Sequence, residues 1–207
     1  MNPSRLIDLA VDPATCRCPT AADRASARRF LVGQRTVPAI ALPDLAPVSA
    51  PGRVFSLGRF RDQVIDTALT DALLPSLRAS LRADLEWHAC RGAFFHNDAH
   101  YGDVLFGAWC VAGPPREIVF ARAGVRVPAS PGDWVLFDPF EPHGVLDEGA
   151  DHYERDRYAA EPASVFIGFE LTLDTAVRAT FAIEPARAGA PLLSSGVAVN
   201  AENGALR

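Results

Sequence analysis

Between residues 61 and 85 an apolar residue recurs at every fourth position of the chain. The members of this series are Ile65, Leu69, Leu73, Leu77, Leu81 and Leu85. A spacing of about four residues places side chains on one face of a helix, so the series predicts an amphipathic helix that packs against a sheet. Pro75 lacks a backbone N–H and predicts a division into two helices, with Pro75 as the first residue of the second.

From residue 85 onward the pattern changes to short runs of β-favouring residues separated by Gly, Pro and Asp. Eight such runs predict strands at residues 85–89, 93–98, 104–112, 117–121, 125–128, 134–138, 143–146 and 164–173. The runs 104–112 and 134–138 alternate imperfectly, as expected for strands whose two faces both meet apolar neighbours. Many short strands of this kind predict a mainly β fold with flanking helices, in which two small sheets enclose a pocket.

The chain outside these strands is less regular. Residues 1–52 are rich in Pro, Ala and Arg, and predict a short helix near residues 21–31 followed by extended chain. With 207 residues and 49% hydrophobic content, the chain is large enough for one core, and no shift in composition divides it. We therefore predict a single domain over 1–207, made of an N-terminal extension with buttressing helices (1–84), a β core (85–173) and a C-terminal segment (174–207).

Charge excludes one class of partner. The chain has 20 basic and 25 acidic residues and a formal net charge of −5, so it lacks the basic excess that attracts proteins to nucleic acids or anionic membranes.

The first residues contain neither the apolar core of a signal peptide nor a spanning segment, which predicts a cytoplasmic protein. No Lys occurs anywhere in the chain, so Arg has to bind any anion that Lys would otherwise bind.

The four cysteines are Cys16, Cys18, Cys90 and Cys110. In a reducing compartment free thiols are expected. Cys16 and Cys18 form a lone Cys-x-Cys, which is a weak zinc motif, and an ordinary loop is the favoured interpretation.

Residues with metal-binding chemistry concentrate near two predicted strand ends. His96 and Asp98 are two residues apart, so on a strand both side chains project from the same face while Asn97 points away. His143 begins the seventh predicted strand after a Pro-rich turn. Two His and one carboxylate suit Fe(II), because three ligands on one face of an octahedron leave adjacent positions open for a chelating cosubstrate and O₂.

Each of these residues also has a purely structural interpretation. His96 could form a hydrogen bond within the core, and Asp98 could cap a turn beside Gly102. Taken together, these structural interpretations are less convincing, because three such groups that meet on an apolar surface cost desolvation free energy unless a metal pairs them. For His100 a contact with the substrate or with a ligand is favoured over ligation. His88 and His152 are expected to have no metal role.

His96-Asn97-Asp98 together with His143 resembles the hallmark of the 2-oxoglutarate/Fe(II)-dependent oxygenases, a His-x-Asp followed downstream by a second His. The resemblance covers roughly residues 85–173 and implies a double-stranded β-helix, the jelly-roll or cupin-like fold. It also implies Fe(II) and 2-oxoglutarate, with oxidation of a small-molecule or peptide substrate and release of succinate and CO₂. Because Asp98 is present where halogenating relatives have a small residue, hydroxylation or a related oxidation is favoured.

The resemblance further implies a basic residue that binds the distal carboxylate of 2-oxoglutarate, often near the start of the last strand. The last predicted strand here contains no basic residue. The candidates are Arg122, after the fourth strand, and Arg155 and Arg157, in the polar segment before the last one. A guanidinium can bind a carboxylate through two parallel hydrogen bonds, although a solvated surface role suits each of the three equally well.

Two alternatives remain open at this stage. Residues 132–143 also resemble the second cupin motif in their Gly-to-His spacing, but the first cupin motif is usually His-x-His, and this chain has His96-x-Asp98. A cupin-type metalloprotein that does not use 2-oxoglutarate is therefore one alternative. A barrel without catalysis, acting as a binding or regulatory module, is the other.

Overall fold

The computed structural model describes residues 4–10, 24–101, 103–189 and 199–206, and the fold is mainly β. Its strands are β1 (Arg5–Asp8), β2 (Arg29–Gln34), β3 (Phe55–Phe60), β4 (Leu85–Cys90), β5 (Ala93–His96), β6 (Val104–Ala112), β7 (Glu117–Phe120), β8 (Val125–Pro128), β9 (Asp133–Phe137), β10 (His143–Leu146) and β11 (Ser164–Thr172). A seven-stranded sheet has the order β1-β2-β9-β6-β11-β4-β3, and a four-stranded sheet has the order β5-β10-β7-β8. All the paired strands are antiparallel.

In the described part of the chain, two short α-helices and three 3₁₀ segments accompany the sheets. The α-helices are α1 (Gln63–Ala72) and α2 (Thr175–Thr180), and the 3₁₀ segments are Pro75–Ser80, Ala99–Tyr101 and Arg155–Tyr158. The side chain of Asp62 caps α1 by accepting hydrogen bonds from the backbone N–H groups of Val64 and Ile65. The predicted division at Pro75 is confirmed, but the second segment is a 3₁₀ helix.

Each of the eight predicted strands is present, and three of them have the predicted bounds, namely β6, β8 and β10. The turn at Pro131-Gly132-Asp133 is also present. Gly132 has φ +104°, which favours glycine, and its N–H donates to Cys110 O at 2.9 Å. Sequence reasoning missed β1, β2 and β3, which come from the N-terminal part of the chain and belong to the seven-stranded sheet.

The helix predicted near residues 21–31 is wrong for the described residues of that range. Residues 24–28 are not helical, and β2 begins at Arg29. The strand pairs with β1 on one side and β9 on the other, so neighbouring strands satisfy its backbone. Phe30 is buried between the sheets and Leu31 on the opposite face, and this burial overrides local helix propensity. Residues 21–23 and the Cys16-Arg-Cys18 motif lie outside the described residues.

The seven-stranded sheet has two apolar faces. Along β11, Val165, Ile167 and Phe169 pack in a cluster with the helices, whereas Phe166 belongs to the cluster between the sheets. This alternation explains the imperfect polar pattern of the central strands, because both faces are covered. The face between the sheets carries the site described below.

The helical series of Leu residues lies in the helix-side cluster. Ile65 and Leu69 on α1 are buried there, together with Leu73, Leu77 and Leu85. The prediction that this series packs as core is confirmed. Within the part of the chain that the structure describes, neither α1 nor α2 is long and apolar enough to cross a bilayer.

Helix α1 offers a matched pair for testing this packing. Leu69 is 2% exposed and Val64 is 61% exposed. We expect Leu69→Ala to lower the free energy of unfolding by about 2–5 kcal/mol, because it removes buried methyl groups and leaves a cavity. Val64→Ala should change it by less than about 0.5 kcal/mol. Urea denaturation followed by circular dichroism measures both, and equal losses would contradict the proposed packing.

Candidate metal centre

The last residue of β5 and the first residue of β10 lie directly opposite each other. These residues are His96 and His143, which are partners in the antiparallel register. Asp98 follows β5, and its backbone N–H donates to Pro139 O at 2.7 Å, which holds it beside the segment before β10. The pairing of two strand ends therefore brings together the three residues that the sequence singled out.

The ligand atoms of these three residues all lie within 4.8 Å of one another. Asp98 Oδ1 is 3.7 Å from His96 Nε2, and Asp98 Oδ2 is 3.5 Å from His143 Nε2. Two ligand atoms that each lie about 2.1 Å from one ion are about 3.0 Å apart when they subtend a right angle at the ion. They are about 3.4 Å apart when they subtend a tetrahedral angle. The observed spacing fits a single ion after small side-chain movements.

Both imidazoles are oriented by backbone carbonyl groups. His96 Nδ1 lies 2.8 Å from Phe94 O, and His143 Nδ1 lies 2.8 Å from Glu141 O. A carbonyl oxygen only accepts, so each Nδ1 carries the proton and each Nε2 keeps a free lone pair. Metal-ligating His residues commonly have such an outer hydrogen bond, which fixes the tautomer and the ring orientation.

The electrostatics favour the protonation states that a metal requires. Burial lowers the pKa of His96, and the neighbouring His143 lowers it further. Burial alone would raise the pKa of Asp98, but an Nε2–H hydrogen bond from His143 and the charges of His143 and His96, present when these rings are protonated, hold it well below its usual range. A neutral imidazole and an ionised carboxylate are therefore available near neutral pH.

The segment before His143 is held by a buried ion pair that sequence reasoning missed. Asp138 is fully buried, and it accepts hydrogen bonds from Arg24 Nη1 at 2.6 Å and from Ala27 N at 2.8 Å. It also accepts from the backbone of Phe140 at 3.2 Å. Asp138 lies in a segment the sequence had singled out, but nothing local identifies Arg24, 114 positions away, as its partner.

A second buried acid in this segment is Glu141. Burial raises its pKa, and the charge and hydrogen bonds of Arg122 offset only part of that rise. Arg122 Nε donates to Glu141 Oε1 at 3.1 Å, and Arg122 Nη2 donates to Oε2. Glu141 also supplies the carbonyl that orients His143. The contacts of Arg122 therefore support the segment that carries a ligand.

A cavity of about 200 Å³ lies between the two sheets beside the three residues. Its walls are mostly apolar, with Phe106 and Phe166 from the seven-stranded sheet and Ile118 and Val145 from the four-stranded sheet. Polar side chains enter the cavity from β4 and from the segment after β5. These are Glu86, His88, Asp98, His100 and Tyr101.

None of the three predicted anion-binding arginines lines this cavity among its described residues. Arg122 pairs with Glu141, as above. Arg157 is exposed and donates to Asp147 Oδ2 at 2.5 Å, and Arg155 is exposed in the 3₁₀ segment beside it. Nothing in the structure tests whether any of them binds an anion, and those assignments stay predictions.

Arg116 is a basic residue near the cavity that the sequence did not single out. It is buried, directly precedes β7 and does not line the cavity, and its guanidinium carbon lies 5.0 Å from the centre of the Tyr158 ring. Arg116 Nη2 donates to Pro162 O at 3.2 Å, and its Nε is 4.0 Å from Asp147 Oδ1. Within the described part of the chain, Nε and Nη1 have no hydrogen-bond partner.

The charge of Arg116 acts on a residue of the cavity wall. Burial raises the pKa of the Cys90 thiol to about 12, and Arg116 opposes part of that rise. Cys90 lines the cavity, so the charge of Arg116 reaches the cavity wall from outside it. Asp147 follows β10 and is four residues beyond His143, which is about 13 Å in extended chain. Arg116, next to Asp147, is therefore remote from the metal ligands.

The remaining His and Cys residues are placed as follows. His100 lies on the cavity wall but outside the group of ligand atoms, and His152 is exposed and pairs with Glu154. His88 is buried on the cavity wall. Cys90 and Cys110 are buried free thiols, as predicted.

Comparison with known proteins returns no match. No family model, no curated protein and no solved structure matches this chain.

The buried pair of Arg24 and Asp138 has an exposed counterpart at the same 2.6 Å distance, Arg61 with Asp84. We expect Arg24→Met to lower the free energy of unfolding by about 3–5 kcal/mol, because it leaves a buried carboxylate unpaired. It should also weaken binding of the predicted Fe(II) by about 10–100-fold, since the segment before His143 loses its support.

The matched control is Arg61→Met, which should change stability by less than about 1 kcal/mol because water screens the exposed pair. Chemical denaturation and anaerobic calorimetric titration with Fe(II) measure the two effects. Unchanged Fe(II) affinity in a folded Arg24→Met protein would show that the ion pair does not position His143.

Proposed function

We propose that this protein is a mononuclear non-haem Fe(II) oxygenase whose metal is held by His96, Asp98 and His143. The observation that carries the proposal is the convergence of two correctly oriented Nε2 atoms and one carboxylate beside an apolar cavity. Three protein ligands leave coordination positions open, which catalysis by a metal requires.

The strand order supports the double-stranded β-helix as the finer description of the fold. The first four strands from β4 onward alternate between the two sheets. Strands β4 and β6 lie in the seven-stranded sheet, and β5 and β7 lie in the four-stranded sheet. The last strand, β11, pairs between β4 and β6, and β10 pairs between β5 and β7. A jelly roll folds a chain back on itself in this manner.

Fe(II) titration tests the proposed ligands directly. We expect one ion per chain, and we expect His96→Ala or Asp98→Ala to weaken binding by more than about a hundredfold, because losing a ligand costs more than losing an outer partner. His152→Ala is the control, since His152 is exposed and outside the site. Anaerobic calorimetry measures the affinities, and binding that Asp98→Ala leaves unchanged would remove the enzyme proposal.

For the cosubstrate we propose 2-oxoglutarate, with Arg116 as the residue that binds its distal carboxylate. Arg116 is supported by its burial, by the effect of its charge on Cys90 of the cavity wall, and by two guanidinium nitrogens without hydrogen-bond partners among the described residues. A guanidinium forms paired charge-assisted hydrogen bonds with a carboxylate. The nearby Asp147 carboxylate, 4.0 Å from Nε, neutralises part of its charge and would compete with the ligand.

In this proposal the bound Fe(II) and cosubstrate supply the activation of O₂ for oxidation of an organic substrate, with release of succinate and CO₂. The chain has three roles in that reaction. Phe94 O and Glu141 O keep the ligand imidazoles in the productive tautomer. Phe106, Phe137 and Phe166 exclude water from the reacting centre, while the polar wall of β4 faces the substrate.

Addition of 2-oxoglutarate to the anaerobic Fe(II) protein tests the cosubstrate. We expect a visible metal-to-ligand charge-transfer band that disappears in His96→Ala and Asp98→Ala. In Arg116→Met, the 2-oxoglutarate concentration that gives half of the band should rise about 10–100-fold, because a charge-assisted pair is lost. Arg157→Met is the exposed control, and Fe(II) affinity measured in parallel reports whether each variant keeps its site.

A band that is weakened by Arg122→Met or Arg155→Met but not by Arg116→Met would restore the assignment predicted from sequence.

A cupin-type metalloprotein that does not use 2-oxoglutarate is the second candidate. It is favoured by one observation, the lack of Arg among the described residues that line the cavity. Fe(II) binding without any charge-transfer band would support it.

A further inference from the structure

Strand β4 presents three consecutive alternate side chains to the cavity. They are Glu86, His88 and Cys90, whereas Leu85, Trp87 and Ala89 face the helix-side cluster. A strand with a fully apolar role would place apolar residues on both faces. Two polar groups of β4 instead face a cavity whose walls are mostly apolar, and neither belongs to the metal ligands.

His88 is buried, with 8% of its surface exposed, and its Nε2 has no hydrogen-bond partner within the described part of the chain. Burial lowers the pKa of this imidazole, so the ring is neutral at pH 7. A polar atom without a partner in an apolar site costs free energy, and a bound ligand can satisfy it.

The structure makes room for this ring. Gly168 lies on β11, next to β4, and a Cβ added there would be 2.7 Å from His88 Cδ2 and 2.8 Å from its Nε2. Any larger residue at position 168 would therefore displace the imidazole. Phe106 contacts the ring edge-on, with centroids 5.6 Å apart. The position of His88 on the cavity wall is thus determined from two sides.

Glu86 places its carboxylate toward the mouth of the cavity. It is 19% exposed, accepts a hydrogen bond from Ser56 Oγ and has Arg59 Nε at 3.7 Å. The Arg59 side chain is 68% exposed, so water screens this ion pair. Glu86 is the only described wall residue of the cavity, other than the ligand Asp98, with a carboxylate, and no described wall residue is Arg.

The other described charged groups near Glu86 are paired and lie outside the cavity wall. Arg82 pairs with Glu170 and Arg61 pairs with Asp84, each at 2.6 Å. Arg59 offsets part of the Glu86 charge, but its side chain is 68% exposed and does not line the cavity. Glu86 is therefore the group on the wall, apart from the ligand Asp98, that would attract a cation.

We propose that the cavity binds an organic cation, an ammonium or guanidinium compound, through Glu86, with a hydroxyl or amide group of the same molecule paired to His88 Nε2. Alternate residues of a strand are about 6.6 Å apart, so three or four carbons separate the two groups of the ligand. The proposal names the substrate class of the proposed oxygenase and to that extent rests on the proposed function.

Three probes of similar size test the charge preference: butylguanidinium, 1-butanol and butanesulfonate. A guanidinium stays protonated and does not ligate the metal, so its binding reports the wall. Saturation-transfer difference NMR on the metal-free protein measures binding without relying on the metal. We expect saturation of butylguanidinium to exceed that of the other two probes, and 4-hydroxybutylguanidinium to bind more tightly than butylguanidinium.

Two variants locate the contacts. Glu86→Gln should weaken butylguanidinium binding about fivefold or more, because a charged hydrogen bond becomes a neutral one. Glu117→Gln is the matched control, since Glu117 is 17% exposed, is paired with Arg126 and lies outside the cavity wall. His88→Leu should abolish the advantage of the hydroxylated probe while leaving butylguanidinium binding in place.

The comparison of the three probes uses the unmodified protein, so it tests the proposal even if a variant does not fold. Equal binding of the three probes, or a folded Glu86→Gln protein with unchanged affinity, would overturn the proposal. Paramagnetic broadening of the bound probe by Mn(II) then tests its distance from the metal. If Mn(II) does not broaden the signals of the probe while saturation transfer is retained, the metal assignment fails and the cation site stands. A preference for cations without a metal-dependent reaction would separate the two proposals further.

Discussion

The antiparallel pairing of β5 with β10 is the constraint on which the site depends. This pairing places His96 opposite His143 and leaves Asp98 at the edge where the two strands meet. Strand pairing fixes which residues are opposite each other, and a slip of one residue would turn every side chain to the other face. The two carbonyl groups that orient the imidazoles belong to the same strand ends, so the pairing also determines which nitrogen is free to bind a metal.

Buried charge supports this arrangement from outside. Asp138 and Glu141 flank the proline-rich turn before His143, and each is paired with a distant Arg, Arg24 or Arg122. Breaking a buried pair is costly, because the remaining charge has no solvent to stabilise it. Removing one partner of either buried pair is therefore expected to cost more than removing one partner of an exposed ion pair elsewhere on the surface.

The cavity combines apolar walls with few polar groups, and each polar group has a separate position. The three proposed ligands lie together beside the cavity, and Glu86 lies toward its mouth. His88 lies between Glu86 and Cys90 along β4. In the two proposals a metal and a cation would thus meet separate parts of one cavity, in a medium where each charge acts more strongly than in water.

The sequence by itself determined the mainly β class, eight of the strands, the helical series divided at Pro75, and the residues His96, Asp98 and His143. These features depend on local periodicity and on residues a few positions apart, which pattern alone reveals. Only the tertiary structure decided that β2 is a strand, that Arg24 supports His143, that Arg116 is buried beside Asp147 and that His88 borders the cavity. Their roles follow from which distant strands pair and which faces are covered, and no local spacing of the chain encodes that information.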